Sequence, residues 1–463
     1  MAILPQILQI LKWAHFLPNI RSIMRQLYIL FFILISCTVG ARTIYDTEKG
    51  NIHNLFDYNN SMYVLRYNHQ FTDTLRIPYG CELKFEGGSL KGPILFNATK
   101  LSGFVKLKGS VISGTIKNKV FDASWLCSLD GVSDDAPSIN QIIEVCGKIY
   151  FPKGNYRLIS AYDANKKVEK EYLDGIKAHI GIFRDNVVLR GEEGTVFITD
   201  KPLGTICVFS MPNQIDNSIK NVKIENISFN VQNDEKNFYE FIHTIKLIGV
   251  NGMTINNCTF NDFWGDAICL SHYGDNPKTG ERTRNENVQI LNNMIVGGSH
   301  HNNRNGISVI NGKHILIKNN IIKNTSRKDM PGGIDIEPNN AAYTIDDIRV
   351  EENIIEGVRG VGGAIGLVVY DDGPAYNICI VGNKISDCLN GILVYVKTEG
   401  TTDRIVIKNN FVAWDTNPYS FAGGGKSQNW IVVDNIFEHW GFQDIPGNIE
   451  VKNLVVGNNK KKD

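Results

Sequence analysis

Ile315-Leu-Ile-Lys-Asn-Asn-Ile-Ile322 and Ile348-Arg-Val-Glu-Glu-Asn-Ile-Ile355 are two copies of one short phrase that returns along much of the chain. Each copy alternates apolar and polar residues, reaches an asparagine, and then continues with a second apolar pair. Alternation with a period of two predicts a β-strand, and the asparagine predicts a turn between two strands.

The phrase recurs every 25 to 36 residues from Asn221 to Asn458, with weaker copies towards the end. This spacing is typical of stacked coils, which share one elongated core because no coil buries its apolar face alone. Aligned asparagines can hydrogen-bond along the stack, so we predict a structural asparagine column. Its predicted members are Asn226, Asn257, Asn293, Asn320, Asn353, Asn383, Asn410 and Asn435.

A second column supports the same register. A small residue followed by isoleucine begins another strand in five successive coils, at Ala267-Ile268, Gly306-Ile307, Gly333-Ile334, Ala364-Ile365 and Gly391-Ile392. The distance from each asparagine to this pair varies, and variable length is typical of connecting loops. We therefore predict an all-β fold, a right-handed parallel β-helix (a solenoid).

The first 41 residues are predicted to lie outside this fold. Met24 and Arg25 precede the apolar stretch from Leu27 to Ile35, the pattern of a signal peptide that is too short to span a membrane. Residues 1–23 are interpreted as an over-extended start. Two ways of processing this signal segment stay open. One is ordinary cleavage near Ala41, and the other is cleavage at a lipobox-like sequence that would leave a lipid anchor on Cys37. The prediction is a secreted, periplasmic or cell-surface protein.

Composition restricts the partners. Lys plus Arg and Asp plus Glu are equal at 48 each, so the net charge gives no sign of a nucleic-acid or anionic membrane partner. The same balance does not favour an acidic polysaccharide, although a local cleft can still be basic. The remaining length suffices for one long core, and we expect a monomer that contacts a membrane only through Cys37.

Residues 42–120 read as short glycine-punctuated strands, a strand-rich region or cap that protects the open end of the array. Beyond them lies Asp130-Gly-Val-Ser-Asp-Asp-Ala-Pro-Ser-Ile139, which predicts a short capping helix with Asp134 and Asp135 at its start. Ile149-Tyr-Phe-Pro-Lys-Gly-Asn-Tyr-Arg-Leu158 then predicts two strands around a turn.

These two segments resemble the opening of the pectate-lyase superfamily domain, with its Asp-Gly-x-x-Asp-Asp, helix and Phe-Pro-x-Gly-x-Tyr pattern. The resemblance covers about residues 121–458 and implies a β-helix that acts on polysaccharide, without implying one reaction. We therefore divide the chain into residues 1–41 (start and signal), 42–120 (cap), 121–458 (β-helix) and 459–463 (basic tail).

The sharpest candidate for chemistry is Pro331-Gly-Gly-Ile-Asp-Ile-Glu-Pro-Asn339. If the column isoleucine points inward, Asp335 and Glu337 both point outward, with Cα atoms about 6.6 Å apart. Inverting glycosidases use two carboxyls about 6.5 to 9.5 Å apart, one as proton donor and one to activate water. The alternative is that both carboxylates pair with arginine or lysine as a solvated ladder.

Polar loops around this coil predict a groove with substrate contacts. The predicted contacts comprise two neighbouring histidines, an arginine, two tyrosines that can stack on sugar faces, two aspartates and a lysine. They are His300, His301, Arg304, Tyr273, Tyr370, Asp371, Asp372 and Lys397.

Two further phrases resemble those of polygalacturonase-type hydrolases. Trp264-Gly-Asp-Ala-Ile-Cys269 is similar to their Gly-Asp-Asp phrase, and Arg304-Asn-Gly-Ile-Ser-Val309 to their Gly-His-Gly-Ile-Ser phrase. This chain has one aspartate where they have two, and Asn305 where they have histidine. The resemblance makes Asp266 a third candidate catalytic carboxylate.

Two other functions stay open. A polysaccharide lyase or epimerase would need a base such as Arg304, His301 or Lys397, often with Ca²⁺ held by aspartates such as Asp335, Asp371 and Asp372. A non-catalytic glycan-binding β-helix would keep the aromatic residues without turnover. The predicted function is a glycoside hydrolase that acts on polysaccharide and uses no cofactor or metal.

Overall fold

The computed structural model describes residues 42–162, 177–210, 218–232, 239–272, 284–297, 303–324, 332–343, 345–413, 416–438 and 449–461. The predicted right-handed parallel β-helix is confirmed: all strand pairs recorded within these residues are parallel, and successive coils pair strand on strand. Each full coil contributes one strand to each of three long sheets, which we number in the order in which the chain visits them.

Sheet 1 contains the long strand before each asparagine bend. Its described strands are Phe121–Asp122, Lys148–Phe151, Val188–Gly191, Ile219–Glu225, Val250–Asn256, Asn285–Leu291, Gly312–Lys318, Ile345–Glu351, Pro374–Val381, Thr401–Lys408, Lys426–Val433, Val451–Lys452 and Val455–Gly457. Sheet 2 contains the short strand after each bend. Its described strands are Asp130–Asp134, Gly154–Arg157, Thr195–Thr199, Ser228–Val231, Thr259–Asn261, Met294–Val296, Ile321–Lys323, Ile354–Glu356, Lys384–Ser386, Phe411–Val412, Ile436–Phe437 and Lys460–Lys461.

Sheet 3 begins at the second sequence column and carries the candidate site on its outward face. Its described strands are Ala178–Ile182, Gly204–Phe209, Ile245–Ile248, Ile268–Leu270, Ile307–Val309, Ile334–Ile336, Ile365–Val369, Asn390–Val396 and Asn417–Gly423. The column isoleucines Ile268, Ile307 and Ile334 point into the core and are fully buried. Side chains that neighbour them in sequence must therefore face away from the core.

The predicted N-terminal strand-rich region and capping helix are also confirmed. Strands here are Thr43–Tyr45, Met62–Leu65, Asn68–Gln70, Leu75–Arg76, Glu82–Phe85, Ser89–Lys91, Pro93–Gly103 and Val111–Ile116, with 3-10 turns at Ile52–Asn54 and Ala123–Trp125. The helix Ala136–Val145 buries Ile139, Ile142 and Ile143. It packs against the strands Val111–Ile116 and Ala178–Ile182.

The two aspartates at the start of this helix are used differently from each other. Asp134 lies one residue before the N-cap position, and its Oδ1 accepts the N–H groups of Ala136 at 3.2 Å and of Ile159 at 2.9 Å. Asp135 occupies the N-cap position without a side-chain cap and instead accepts the N–H groups of Ser128 and Leu129 in the preceding loop. The side-chain cap predicted for Asp135 is therefore wrong, and Asp134 binds the first helical N–H from outside the helix.

The bend between sheets 1 and 2 has two adjacent columns where the sequence predicted one. The first column adopts positive φ and includes Asn226, Asn257 and Asn319. The next residue is buried, and from Asn293 onwards it is an asparagine. In this buried ladder each Nδ2 donates to the next Oδ1 at 2.9 to 3.0 Å. The ladder comprises Asn293, Asn320, Asn353, Asn383, Asn410, Asn435 and Asn459.

The predicted column was therefore wrong by one residue at its first two members. Asn226 and Asn257 belong to the positive-φ column, and Ile227 and Cys258 occupy their coils' ladder positions. The reason is that both columns favour asparagine: a positive φ is cheapest for glycine and asparagine, and a buried ladder needs an amide that donates and accepts.

We expect Asn383→Ala to lower the free energy of unfolding by about 2 to 3 kcal/mol, because it leaves buried partners unsatisfied. The Asn383 amide donates to Val350 O and Asn410 Oδ1, and its oxygen accepts both the N–H and Nδ2 of Asn353. Urea unfolding would measure the change. The control is Asn409→Gly, because Asn409 is exposed and has a positive φ that glycine adopts readily. If that change lowered the free energy of unfolding by more than about 0.5 kcal/mol, this account would be contradicted.

The predicted signal peptide and Cys37 lie outside the described residues. Among the helices that are described, none has the length and apolar character needed to cross a membrane.

Candidate active site

The outward face of sheet 3 carries one row of side chains at the positions directly after the inward isoleucines. Strand pairing aligns Lys246 with Cys269, then Ser308, Asp335 and Gly366. This is the outward row that the sequence predicted. Asp335 lies between two small neighbours, so its carboxyl is flanked by little side-chain bulk.

Glu337 lies two positions after Asp335, where the strand Ile334–Ile336 ends. Its N–H donates to Val309 O at 3.0 Å, which continues the pairing with the previous coil. Burial, followed by the charge of Glu337, raises the pKa of Asp335, and burial also raises the pKa of Glu337, so the titrations of the two carboxyls affect each other. Asp335 is fully buried, whereas Glu337 is partly exposed. The pair therefore has an inner end and a solvent-facing end.

The separation of the two carboxyls stays a prediction: two strand positions place the Cα atoms about 6.6 Å apart. Both carboxyls have raised pKa values and so favour the protonated form. An ionised carboxylate that activates water must therefore come from elsewhere in the site.

Asp266 is such a carboxylate, one coil before Arg304 and two before Asp335. Arg304 Nε lies 3.8 Å from Asp266 Oδ1, and Arg304 Nη1 lies 3.5 Å from Glu240 Oε1. Arg304 also interacts electrostatically with Asp335 and Glu337. We call the four acids around Arg304, namely Glu240, Asp266, Asp335 and Glu337, the carboxyl cluster.

Asn305 bridges the two buried aspartates. Its backbone N–H donates to Asp266 Oδ1 at 3.0 Å, and its Nδ2 donates to Asp335 Oδ2 at 3.2 Å and to Ser308 Oγ at 2.9 Å. Its Oδ1 accepts the N–H of Gly332 at 2.6 Å. One residue therefore fixes the positions of both carboxyls.

His243 contacts Asp266 from the preceding coil. Its Nδ1 lies 3.1 Å from the backbone N of Asp266 and 3.2 Å from Oδ2. Burial lowers the pKa of His243 below its usual range, so the imidazole is neutral at pH 7. A neutral Nδ1 that accepts the backbone N–H has no hydrogen to offer Oδ2, and the 3.2 Å contact is close packing rather than an ion pair.

Polar atoms without a hydrogen-bond partner concentrate at this place. Among the described residues, the buried side-chain atoms without a partner include Asp266 Oδ2, Asn303 Oδ1, Arg304 Nε and Asp335 Oδ1. Buried polar groups are nearly always satisfied, so the partnerless atoms of Asp266, Arg304 and Asp335, which Asn305 and the Arg304–Asp266 contact connect, make this cluster the candidate site.

The carboxyls of the cluster hold protons very differently. Burial, followed by the charge of Glu337, raises the pKa of Asp335 well above its usual range. Burial also raises the pKa of Glu337. For Asp266, burial alone would raise the pKa, but the charge of Arg304, helped by the Asn305 N–H, outweighs it and holds the pKa at about 2. An acid that favours its protonated form and an ionised carboxylate therefore lie in the same cluster.

The remaining predicted contacts are only partly brought together. Tyr370 belongs to the site, since burial and the nearby Glu337 and Asp335 carboxyls raise its pKa. Its ring centroid lies 6.5 Å from that of Tyr395. Asp371 and Lys397 form an exposed ion pair at 2.5 Å. Asp372 accepts the N–H of Ala341 at 2.8 Å and so holds a loop.

The predicted contacts His300, His301 and Tyr273 lie outside the described residues. The calcium ligands considered for a lyase, Asp335, Asp371 and Asp372, are all described, and their carboxylates do not converge on one point where they could share an ion. Asp335 is buried at the carboxyl cluster, whereas the other two are engaged by Lys397 and by the Ala341 backbone.

One described cluster has metal-ligand geometry. Donor atoms of His243, Asp266 and Cys269 lie within 4.8 Å of one another. A nitrogen, an oxygen and a sulfur suit zinc or another transition metal rather than Ca²⁺. Arg304 already supplies positive charge to Asp266, and burial raises the pKa of the Cys269 thiol. Both facts disfavour a cation here.

Sequence reasoning missed His243, Asn305 and Glu240. The register of the strands could have identified His243 and Asn305. Each lies two residues before the inward-pointing isoleucine of its coil, and Asp266 and Gly332 lie at the same position in their coils. These four residues therefore align in one row along sheet 3. Asn305 was noted only as a departure from histidine. Glu240 lies in a loop with no periodic signal, and only the fold brings it to Arg304.

We expect Asp266 to stabilise the fold by about 2 kcal/mol at neutral pH, because its pKa is about 2 when folded and about 3.9 when unfolded. This contribution is present above pH 4 and is lost as the pH falls towards 2. The stability difference between the wild type and Asp266→Asn should therefore shrink over that range in unfolding experiments. Asp371→Asn is an exposed, ion-paired control, and a similar pH-dependent loss there would contradict the assignment.

No model of a known protein family matches the chain, and no curated protein sequence matches it. Solved structures do match. A hyperthermoactive exopolygalacturonase from Thermotoga maritima is 12% identical, with 73% of this chain and 92% of that chain covered and a TM-score of 0.49. A surface adhesin of Streptococcus pneumoniae is 14% identical (74% and 92% covered, TM-score 0.36). The A-module of a mannuronan C-5 epimerase from Azotobacter vinelandii is 15% identical (74% and 100% covered, TM-score 0.38). At these identities no activity is transferred.

Proposed function

We propose that the protein is a glycoside hydrolase that cleaves a polysaccharide on the outward face of sheet 3. One observation carries the proposal: Asn305 donates hydrogen bonds to both Asp266 and Asp335, whose pKa values are shifted in opposite directions, lowered at Asp266 by Arg304 and raised at Asp335 by burial and Glu337. Environments that push the pKa values of two carboxyls in opposite directions are what acid and base catalysis at one site requires.

In this mechanism the Asp335–Glu337 unit is the general acid. Glu337 is its partly exposed end and donates the proton to the sugar, and Asp335 is its buried end, with the more strongly raised pKa. The proton passes to the glycosidic oxygen as the bond from that oxygen to the anomeric carbon breaks, and the bonding electrons stay with the oxygen. Burial that keeps a carboxyl protonated near neutral pH prepares it for this role.

Asp266 is the general base of the same proposal. Its Oδ2 atom has no hydrogen-bond partner among the described residues, and this is the atom that takes the proton of the attacking water. The water oxygen then bonds to the anomeric carbon, so one water is consumed for each bond broken. Arg304 keeps Asp266 ionised for this step. A single displacement of this kind inverts the anomeric carbon.

Hydrolysis is favoured over elimination because the bases considered for a lyase are poor ones here. Nearby carboxylates raise the pKa of Arg304 against the effect of burial. The Asp371 carboxylate raises the pKa of Lys397. Both groups therefore stay protonated at neutral pH and cannot accept a proton from a sugar carbon. His301 lies outside the described residues and stays a prediction.

Tyr370 and Tyr395 support a sugar-binding groove beside the acid. Both are partly exposed, at 39% and 37%. Tyr395 pairs with Val368, and Tyr370 N donates to Pro338 O next to Glu337. Exposed aromatic rings one or two strands from a catalytic carboxyl are suited to stack on neighbouring sugar units.

The test is a polysaccharide panel treated with purified protein, in which new reducing ends and the ultraviolet absorbance of unsaturated uronate products are measured together. Reducing ends without that absorbance support hydrolysis. Absorbance would show elimination instead, and binding without either product would show a glycan-binding protein. Side chains carry each proposed step, so we expect activity to survive EDTA.

Secretion through the predicted signal segment belongs to the same proposal, with Cys37 either removed or lipidated, and so does action as a monomer. These points rest on the sequence alone. Mass spectrometry of the mature N-terminus would test the first, and light scattering would test the second.

A further inference from the structure

We infer that the sugar unit over Asp335 and Glu337 is uncharged, so that the substrate is a neutral glycan rather than a uronic-acid polymer. The inference rests on the proposed function, because it concerns the substrate of the same site. Its basis is the distribution of charge on the outward face of sheet 3, which the net charge of the chain does not reveal.

The site has more acids than bases among the residues that the structure describes. Four carboxyls surround a single guanidinium, which lies 3.5 Å from Glu240 and 3.8 Å from Asp266. The Arg304 side chain is only 10% exposed. Its charge is therefore already matched, and little of its surface can meet a ligand. An arginine that recognises a uronate would instead present its planar edge to the carboxylate.

The other described cations near this face are also unsuited to bind a uronate at the cleavage point. Lys397 is paired with Asp371 at 2.5 Å. Lys246 stands in the outward row three strands before Asp335, which places the two Cα atoms about 14 Å apart at the usual strand spacing. At that distance Lys246 can reach a different sugar unit, but not the one over Asp335.

The immediate surroundings of Asp335 suit hydroxyl groups. Its neighbours in the row are Ser308 and Gly366, and a Cβ added at Gly366 would lie 3.6 Å from Asp335 Oδ1. A Cβ there would also lie 3.0 Å from Gly362 O, so the row is closely packed at this point. An uncharged sugar can place its hydroxyls against the partly exposed Glu337 carboxyl. A uronate would bring a further negative charge next to Glu337 and Asp266, with no cation among the described residues placed to offset it.

The experiment compares matched polymers that differ in charge alone. Several uronans, including polygalacturonan and alginate, are tested beside their carboxyl-reduced forms and a set of neutral glycans, with initial rates of reducing-end release at equal concentration. We expect kcat/KM for a cleaved neutral polymer to exceed that for its uronan by about 100-fold or more, the size of like-charge repulsion at about 5 Å in a partly buried site. Equal or faster cleavage of the uronan would overturn the inference.

A second variant tests the charge explanation directly. Glu240→Gln removes an acid that neutralises Arg304, so the preference for the neutral polymer should fall by about tenfold while cleavage of that polymer changes less. Glu356→Gln is the matched control, a glutamate of similar exposure paired with Lys323 on sheet 2. An unchanged preference in Glu240→Gln would count against the inference.

Failure of the hydrolase proposal would be visible separately. If no polymer is cleaved, affinity electrophoresis of the wild type and of Glu337→Gln measures how strongly the neutral and the charged member of each polymer pair retain the protein. Retention by the neutral form alone would reject hydrolysis and support the charge argument. Stronger retention by the uronan, or no retention by either form, would overturn the inference together with the hydrolase.

Discussion

Replacing Glu337 with glutamine should lower kcat on a cleaved polysaccharide by about 10² to 10⁴-fold, the usual contribution of general acid catalysis. Glutamine keeps the size of the side chain and can still accept a hydrogen bond from Asp335, so the carboxyl pair is lost with little change in packing. The partly exposed Glu337 is the end of the pair that meets the substrate. KM should change far less than kcat, because the proton is needed in the transition state.

The pH profile should distinguish this role from a merely structural one. Burial raises the pKa of Glu337 and, more strongly, that of Asp335. Activity of the wild type should therefore fall as the pH rises through the raised value of the pair, and this alkaline limb should disappear from the residual activity of Glu337→Gln. Glu356→Gln on sheet 2 is the control and should retain full activity. A Glu337→Gln protein with wild-type kcat and an unchanged limb would place the acid elsewhere.

The repeated phrase was sufficient to predict the architecture because it encodes the same geometry in every coil. Inward isoleucines such as Ile307 and Ile334 alternate with outward residues, and strand pairing fixes their register. That register also predicted the outward position of Asp335. It failed by one residue at Asn226 and Asn257, because asparagine serves both the positive-φ bend and the buried ladder, and sequence alone does not separate these uses.

The chemistry of the site was less predictable, because it depends on side-chain direction and on loops. Spacing on a strand set the distance between the Asp335 and Glu337 Cα atoms, but it did not show that burial would raise the pKa values of both carboxyls. Asn305 was visible in the sequence, yet its bridging role appears only when its N–H and Nδ2 are seen to reach different coils. Glu240 reaches Arg304 from a loop, where periodicity gives no information.

Asp335→Asn should abolish catalysis and at the same time make the protein more stable at neutral pH. Below about pH 4 the Asp335 carboxyl is protonated in the folded and unfolded chains alike. As the pH rises, the unfolded chain releases this proton while the folded chain keeps it, because burial and Glu337 raise the folded pKa. The wild type thus loses about 1.4 kcal/mol of stability per pH unit, until the pH reaches the folded pKa.

Asparagine resembles the neutral form of this acid. It can accept the Asn305 Nδ2 hydrogen bond and donate to Glu337, but it does not titrate, so the stability of Asp335→Asn should exceed that of the wild type by an amount that grows with pH above 4. Urea unfolding at a series of pH values would measure this difference. Asp266→Asn is the matched control, a second buried aspartate whose replacement should destabilise the protein at neutral pH because its pKa is lowered instead.

Opposite trends at the two aspartates would support the proposed division of roles, whereas parallel curves would contradict it. If Asp335 served only to hold the fold together, its loss would cost stability at every pH. A residue whose removal destroys activity and stabilises the fold is instead one that the structure retains at an energetic cost for its chemistry. The physical origin of that cost is the fully buried position of Asp335, whose Oδ1 has no hydrogen-bond partner among the described residues, together with the charge of Glu337.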